Sequence, residues 1–511
     1  MAIHAKGSTV LRGACVVVDY RKRADPADIL IVDGWIRDIG APGMRVPDGT
    51  DVVDVTDMLA HPGLINAHTH ASQFYGRSAG DRMTLELLLT AEPFWNQYRT
   101  LEQAQLSATV CAAEMVLKGC TSAYEQYAES PGPTVEGTNA IARGYANVGL
   151  RAVVAPLAAD ISFFDAIPGM KDAMPAELRG MVERFGTQPA DAMLKVLEDT
   201  AKNWLWHNQD IHLSIGPSIP HHCTKAFFCG CGRIAKDFGL RVTSHVSESK
   251  VQALVTKQKY GRTLVQQLDA WGMLNPQFTA GHAIWLDPDD IRILGERGAS
   301  ISHNAGSNMR LGNGMFPLRT LLDAGANVAI GSDGVGCSDN QNIYEAMRYA
   351  SMMSKVQSPF IEEWASADEI YTAATKGGAA ALGLEKVGEL KVGYKADIVL
   401  IDLISPNWIP HNWSINQIVQ AEDSSSIRHV MIGGVFVVYN RTLTTVDLRN
   451  LAMSAEVARE RDIELGARAK VDLPALEDFV NGYCADIASQ PYHVEKYLRG
   501  SRNKTAPTKV V

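Results

Sequence analysis

The spacing of hydrophobic and polar positions changes character twice along the chain. From Thr9 to about Val55, short apolar runs alternate with turn residues. Residues 29–40 read as two strands joined at Asp33-Gly34, a dipeptide suited to a tight hairpin. From about Leu59, short apolar runs at 152–155, 211–215, 240–244, 299–302 and 328–331 alternate with longer stretches of helical period at 101–118, 192–208, 225–238, 261–271 and 317–324. That alternation predicts parallel βα units, and a closed barrel is the economical way to bury them. After Gly388 the strand pattern returns at 395–402 and 427–439, the latter with a Gly433-Gly434 hairpin. The first 55 or so residues are too few to bury a core alone. The two ends are therefore expected to join in one small β-domain, residues 1–58 plus 388–450, around a barrel of residues 59–387. Residues 451–511 read as a helical extension ending in a polar, basic, flexible tail.

Composition narrows the class of function. The 511 residues carry 48 basic and 57 acidic side chains, a formal charge of −9, with 46% hydrophobic and 21% charged residues. These are globular values, and the mild negative charge argues against a nucleic-acid or polybasic membrane partner. No apolar run approaches the roughly 18 residues of a membrane span, and no export signal opens the chain, so a cytoplasmic protein is expected. Eight cysteines are scattered at 15, 111, 120, 223, 229, 231, 337 and 484. Without an export signal they read as reduced thiols, and Cys229-Gly-Cys231 lacks the second pair of a zinc ribbon.

Candidate chemistry collects where apolar runs end. In His61-Pro-Gly-Leu-Ile-Asn-Ala-His68-Thr-His70, strand alternation puts His68 and His70 on one side, where both imidazoles can reach one metal. His245, His282, His303 and Asp333 each follow a different apolar run. In a barrel the C-terminal ends of the strands meet at one face, where catalytic side chains gather.

With these residues the chain resembles the amidohydrolase superfamily, in its cytosine-deaminase-like branch of triazine hydrolases and nucleoside deaminases. The resemblance runs from about Ile29 to Tyr439. It rests on Pro62-Gly-Leu-Ile-Asn-Ala-His-Thr-His70, Gly119-Cys-Thr-Ser122, Ser244-His-Val-Ser-Glu248, Gly281-His282, Ser302-His-Asn-Ala-Gly-Ser-Asn308, Gly331-Ser-Asp333, Ala374–Gly383 and Val387–Asp397. It implies an α/β fold, a distorted (β/α)8 TIM barrel with a small composite β-sandwich domain formed by both chain ends. It also implies that His68, His70, His245 and Asp333 ligate one divalent metal, zinc first, although this donor set also accepts iron. Glu248 matches the branch's acid/base glutamate, His282 its charge-stabilising histidine, and Asp333 doubles as a base beside the nucleophilic water. Two-metal relatives carry a lysine at the end of strand four; this chain has Ile211-His-Leu-Ser-Ile-Gly-Pro217, so one metal is expected.

Two departures bear on substrate. Ala305 replaces a frequent proline after His303, and Pro217-Ser-Ile-Pro-His221 puts Ser218 and His221 where nucleoside deaminases often have histidine and tyrosine, which weakens the case for an adenosine-type substrate. Gln73, Phe74, Trp95, Tyr98, Glu125, Ser218 and His303 are candidate substrate contacts. Arg310 would either meet an anionic substrate or form a structural salt bridge. The expected activity is a metal-dependent aminohydrolase (deaminase) of a small nitrogen heterocycle or aromatic amine. Ring opening of a cyclic amide, or dechlorination or N-dealkylation of a triazine, is the alternative, and a metal-free scaffold a remote one. A small-molecule substrate and a homodimer or larger homo-oligomer complete the expectation.

Overall fold

A computed structural model describes residues 7–17, 23–468 and 472–498; the tail expected to be flexible lies outside these. Eight parallel strands follow one another around the barrel in chain order: β1 (Leu64–Thr69), β2 (Cys120–Tyr127), β3 (Arg151–Ala158), β4 (Ile211–Pro217), β5 (Arg241–Val246), β6 (Phe278–His282), β7 (Ser300–His303) and β8 (Asn327–Ile330). The helices between them start where hydroxyl side chains cap their free N–H groups. Thr100 and Thr263 form capping boxes with Gln103 and Gln266, and Gly149, Gly261 and Gly298 end helices in the left-handed conformation.

The barrel is distorted in two places. β4 and β5 pair only at Ser214–Arg241 and Ile215–Val242. Among the described residues no ladder joins β8 to β1. That seam is closed instead by the Asn66 Oδ1 atom, which accepts the Ser332 N–H at 3.0 Å, and by the Asp333 N–H donating to the His68 carbonyl at 2.9 Å. Backbone groups left without a strand partner are thus satisfied just where the chain must turn inward.

Both ends of the chain build one nine-stranded sheet. Met58–Pro62 pairs antiparallel with Ile398–Asp402 at its centre. Period-two alternation gives this sheet two apolar faces. Ala60, Ile398 and Leu400 join Leu11, Ile29, Ile31 and Phe436 in the domain's own core, whereas Leu59, Val399 and Ile401 face the main core shared with the barrel. A buried ion pair fastens the two parts: the Arg151 guanidinium, at the N-terminal end of β3, grips Asp397, whose Oδ1 also accepts the Gly433 N–H at 2.8 Å. Asp210 reaches the same guanidinium at 3.1 Å.

The C-terminal helix Leu473–Ala488 packs Leu476, Val480 and Cys484 against Phe94, Phe164, Met170, Val251 and Val255. Those residues belong to segments following β1, β3 and β5, so the extension braces the loops at the C-terminal ends of the barrel strands. No helix of the described residues is long and apolar enough to cross a membrane.

Candidate functional site

Three strand ends place four ionisable side chains around one point. His68 ends the inward row of β1, His70 follows it, His245 comes from β5, and Asp333 follows β8. All four are buried. The His70 Nε2 atom lies 3.1 Å from His68 Nε2, 3.3 Å from His245 Nε2 and 3.2 Å from Asp333 Oδ1; His68 Nε2 lies 3.6 Å from Asp333 Oδ1. A tetrahedral ion bound at the usual 2.0–2.1 Å holds its donors about 3.3 Å apart, so this spacing fits one zinc-sized cation.

The hydrogen bonds behind the rings agree. The His70 Nδ1–H donates to the Gln126 carbonyl at 2.6 Å and the His245 Nδ1–H to the Ser218 carbonyl at 2.8 Å, which turns both Nε2 atoms toward the same point. His68 Nδ1 meets the Gln126 side-chain amide at 2.6 Å. A metal on His68 Nε2 requires the proton on Nδ1, hence an oxygen opposite it. The Gln126 Oε1 atom is buried without a partner, and a half-turn of the amide supplies it.

The electrostatics keep two of the imidazoles neutral and the carboxylate ionised. Burial pushes His245 down to about 3 and His68 well below the usual imidazole range. Burial also opposes a charge on His70, but the bonded Asp333 carboxylate outweighs it and raises that imidazole to about 9. Burial would likewise raise Asp333, yet the bond from His70 and the surrounding rings hold its carboxyl well below the carboxylate range.

Glu248 and His282 complete the cluster. Ser247, His282, Ala283 and Asp333 all have positive φ, between 47° and 65°. For non-glycine residues this is strained backbone, here gathered at three strand ends, where it turns side chains into the cavity. Glu248 is buried, with Oε1 accepting from Asn313 Nδ2 at 3.0 Å and lying 3.7 Å from His282 Nδ1. Burial first, then the negative charges of Asp333 and Glu86, push its pKa well above the ordinary carboxyl value. His282 Nδ1 is 3.0 Å from Asn308 Oδ1, and its Nε2 is 3.5 Å from Asp333 Oδ2. Two glycines permit this crowding: a Cβ at Gly281 would lie 2.9 Å from His68 Cε1, and one at Gly331 would lie 2.3 Å from Asn304 Oδ1.

A cavity opens above the cluster, lined by His70, His245, Glu248, His282 and Asp333 together with Gln73, Leu85, Leu88, Leu89, Glu92 and Ser218. Of the substrate contacts expected from sequence, Gln73 and Ser218 therefore reach it. The others sit elsewhere. Glu125 accepts the Ala71 N–H at 2.9 Å and the Tyr145 hydroxyl at 2.6 Å, outside the cavity wall. His303 stacks on Phe316, with ring centroids 4.0 Å apart. Phe74 meets Tyr75 edge-on, Trp95 covers Gly76, and the Tyr98 carbonyl accepts from Arg461. Arg310 is bound to Asp339 and the Gly80 carbonyl, the structural salt bridge of the two roles open to it. His221 is buried, with both ring nitrogens lacking a partner. Sequence reasoning missed Gln126, Asn313, Leu89 and Glu92. Gln126 alternates with Glu125 along a strand buried at every position, so nothing local marks which of the two faces the cluster.

The comparisons with known proteins agree with this arrangement. The amidohydrolase family model matches residues 59–437. A 5-methylthioadenosine/S-adenosylhomocysteine deaminase of Syntrophobacter fumaroxidans is 30% identical over 432 residues, covering 84% of this chain and 91% of the relative. A 5'-deoxyadenosine deaminase of Methanopyrus kandleri is 30% identical over 404 residues, 78% of this chain and 86% of that one. Among solved structures, an adenosine deaminase of Xanthomonas campestris with bound zinc superposes with a TM-score of 0.79 at 24% identity, over 90% of this chain and 99% of its own. An atrazine chlorohydrolase of Arthrobacter aurescens TC1 complexed with zinc gives 0.78 at 22%, over 88% and 100%. With the barrel, its open seam and the clustered strand-end histidines, these matches establish that the chain belongs to the amidohydrolase family.

Proposed function

We propose that this chain is a metal-dependent aminohydrolase that replaces an amino group on an electron-poor ring carbon of a nitrogen heterocycle with oxygen, releasing ammonia. The observation that carries this reading is the placement of a protonatable carboxyl, Glu248, over the same cavity as a three-imidazole, one-carboxylate donor set. His68, His70, His245 and Asp333 would hold one divalent cation, zinc first. The cation supplies Lewis acidity, which makes water acidic enough to act as a nucleophile near neutral pH.

The remaining steps belong to the protein's own side chains. Asp333, kept ionised by the imidazoles around it, accepts the proton that the attacking water gives up. Glu248, kept protonated by burial and by Asp333 and Glu86, donates to the ring nitrogen beside the attacked carbon, so that the pair of electrons displaced from the C=N bond is neutralised as it forms. The amino nitrogen then takes up the proton held at Asp333 and leaves as ammonia, while the hydroxyl proton returns to Glu248 and the ring carbon becomes a carbonyl. Asn313 fixes the Glu248 oxygen, and Asn308 fixes the ring of His282, which faces the developing oxygen charge.

The curated relatives named as deaminases of adenosine-type compounds direct the first assays to 6-aminopurine nucleosides. The substitution of Ser218 at a position where nucleoside deaminases often carry histidine argues for including aminopyrimidines and aminotriazines. The test is ammonia release, with product mass read in parallel, from protein stripped of metal and reloaded with one equivalent of zinc or iron. Metal-dependent ammonia release supports the proposal. Chloride release or a mass gain of one water without ammonia would replace it with dehalogenation or ring opening.

A further inference from the structure

The cavity over the metal cluster continues outward. The inner chamber, about 80 Å³, shares Leu89, Glu92, Ala128, Leu157 and Ser218 with an outer chamber of about 200 Å³. A heterocycle reacting at the cluster therefore carries any substituent on its far side into the outer chamber. Phe163, Phe164, Ile161 and Pro131 give that chamber a mainly apolar wall.

Its ionisable groups are one-sided, two acids whose carboxyl pKa values burial raises. Among the lining residues of both chambers there is no lysine or arginine; the ionisable groups of the outer one are Glu92, Glu129 and His222. His222 is uncharged at neutral pH, pushed down to about 3 by burial and then by Lys259. The Lys259 ammonium is bonded to the His221 carbonyl at 2.9 Å and does not line the chamber. Arg99 acts on Glu92 and Glu129 from outside the lining, where its guanidinium lies over the Tyr75 ring. Two of its hydroxyl donors are already engaged: Ser162 Oγ bonds Asp165 at 2.6 Å, and Thr187 Oγ1 donates to the Asp160 carbonyl at 3.3 Å; the others, Ser130 and Ser218, are neutral. An anion entering this space meets two carboxyl side chains and no cation to repay its lost hydration.

We infer that the outer chamber is a subsite for an uncharged, apolar substituent on the heterocycle, and that it discriminates against carboxylate- and phosphate-bearing ones. The inference rests on the deaminase reading and adds the substrate class. It is tested with three ligands that share an adenine riboside: 5'-methylthioadenosine, uncharged; adenosine 5'-carboxylate, the 5'-uronic acid, with one carboxylate and no amine beside it; and adenosine 5'-monophosphate. Binding is measured by titration calorimetry on the full zinc-loaded chain carrying Glu248→Gln, to slow turnover, and ammonia release on the unaltered chain. The uncharged ligand should bind at least tenfold more tightly than either anionic one. Thr187→Lys, which sets an ammonium at the chamber rim, should narrow that gap at least threefold by improving the anions. Equal or tighter binding of the anionic ligands by the unaltered chamber, or binding of none of the three, would overturn the inference. Binding in the expected order without ammonia release would support the subsite and overturn the deaminase reading alone.

Discussion

Gln126 offers the sharpest test of how the donor set is organised. Its backbone carbonyl orients His70 and its side-chain amide orients His68, each at 2.6 Å. Gln126→Leu removes only the second contact, so His70 stays fixed while His68 loses the group that sets its tautomer and ring angle. Removing such a partner of a metal-ligating histidine lowers affinity about 10–100-fold, or roughly 1.4–2.7 kcal/mol. Leucine of similar volume keeps the packing but leaves the buried His68 Nδ1 unpaired, which costs about 1–3 kcal/mol, so the variant should melt several degrees below wild type yet still cooperatively. Gln126→Glu keeps an oxygen opposite the His68 Nδ1–H and should retain zinc affinity within about threefold. The assay is competition for zinc against a chromophoric chelator of known affinity, with circular dichroism as the control for folding. Unchanged affinity in Gln126→Leu would refute the orienting role. Loss of affinity in Gln126→Glu with a normal melt would show that the amide nitrogen, not its oxygen, faces His68, and that His68 does not present a bare Nε2.

Three other expectations follow from the same geometry. Glu248→Gln should keep its metal, measured by elemental analysis, and lose about 10²–10⁴-fold in kcat, because it removes proton transfer without removing a ligand. Glu125 should affect stability rather than substrate affinity: burial raises its pKa from 4.5 to about 7. The unfolded carboxyl ionises first as pH rises, so the stability present below about pH 4.5 is lost as pH approaches 7, by up to about 3 kcal/mol. Glu125→Gln should therefore flatten that stretch of the pH–stability curve with KM unchanged; an unaltered slope, or a raised KM, would contradict this. Asp397→Ala leaves the buried Arg151 guanidinium with half-exposed Asp210 as its one counter-charge among the described residues, beside the Ser122 hydroxyl, and should cost about 3–5 kcal/mol by chemical denaturation; a loss under about 1 kcal/mol would show the ion pair contributes little.

Much of this site is legible along the chain because strand periodicity is local. In His68-Thr-His70 the two imidazoles share a side by backbone geometry alone, and His245, His282 and Asp333 mark themselves by standing at the ends of separate apolar runs. The pairing of the chain ends is legible too, since neither end has enough apolar residues to close a core. What failed to show was anything depending on the phase of a fully buried strand. In β2 every residue from Cys120 to Tyr127 is buried, so no polar alternation distinguishes the face of Glu125 from that of Gln126.

The sequence by itself determined the barrel, the composite sheet and the candidate ligands, because hydrophobic period and strand-end placement are properties of neighbouring residues. Only the tertiary structure decided that Gln126 orients two histidines, that Glu125 and His303 turn away from the cavity, and that the outer chamber offers no positive charge. These depend on side chains from strands and loops more than fifty residues apart converging in space, a distance over which linear spacing carries no directional information.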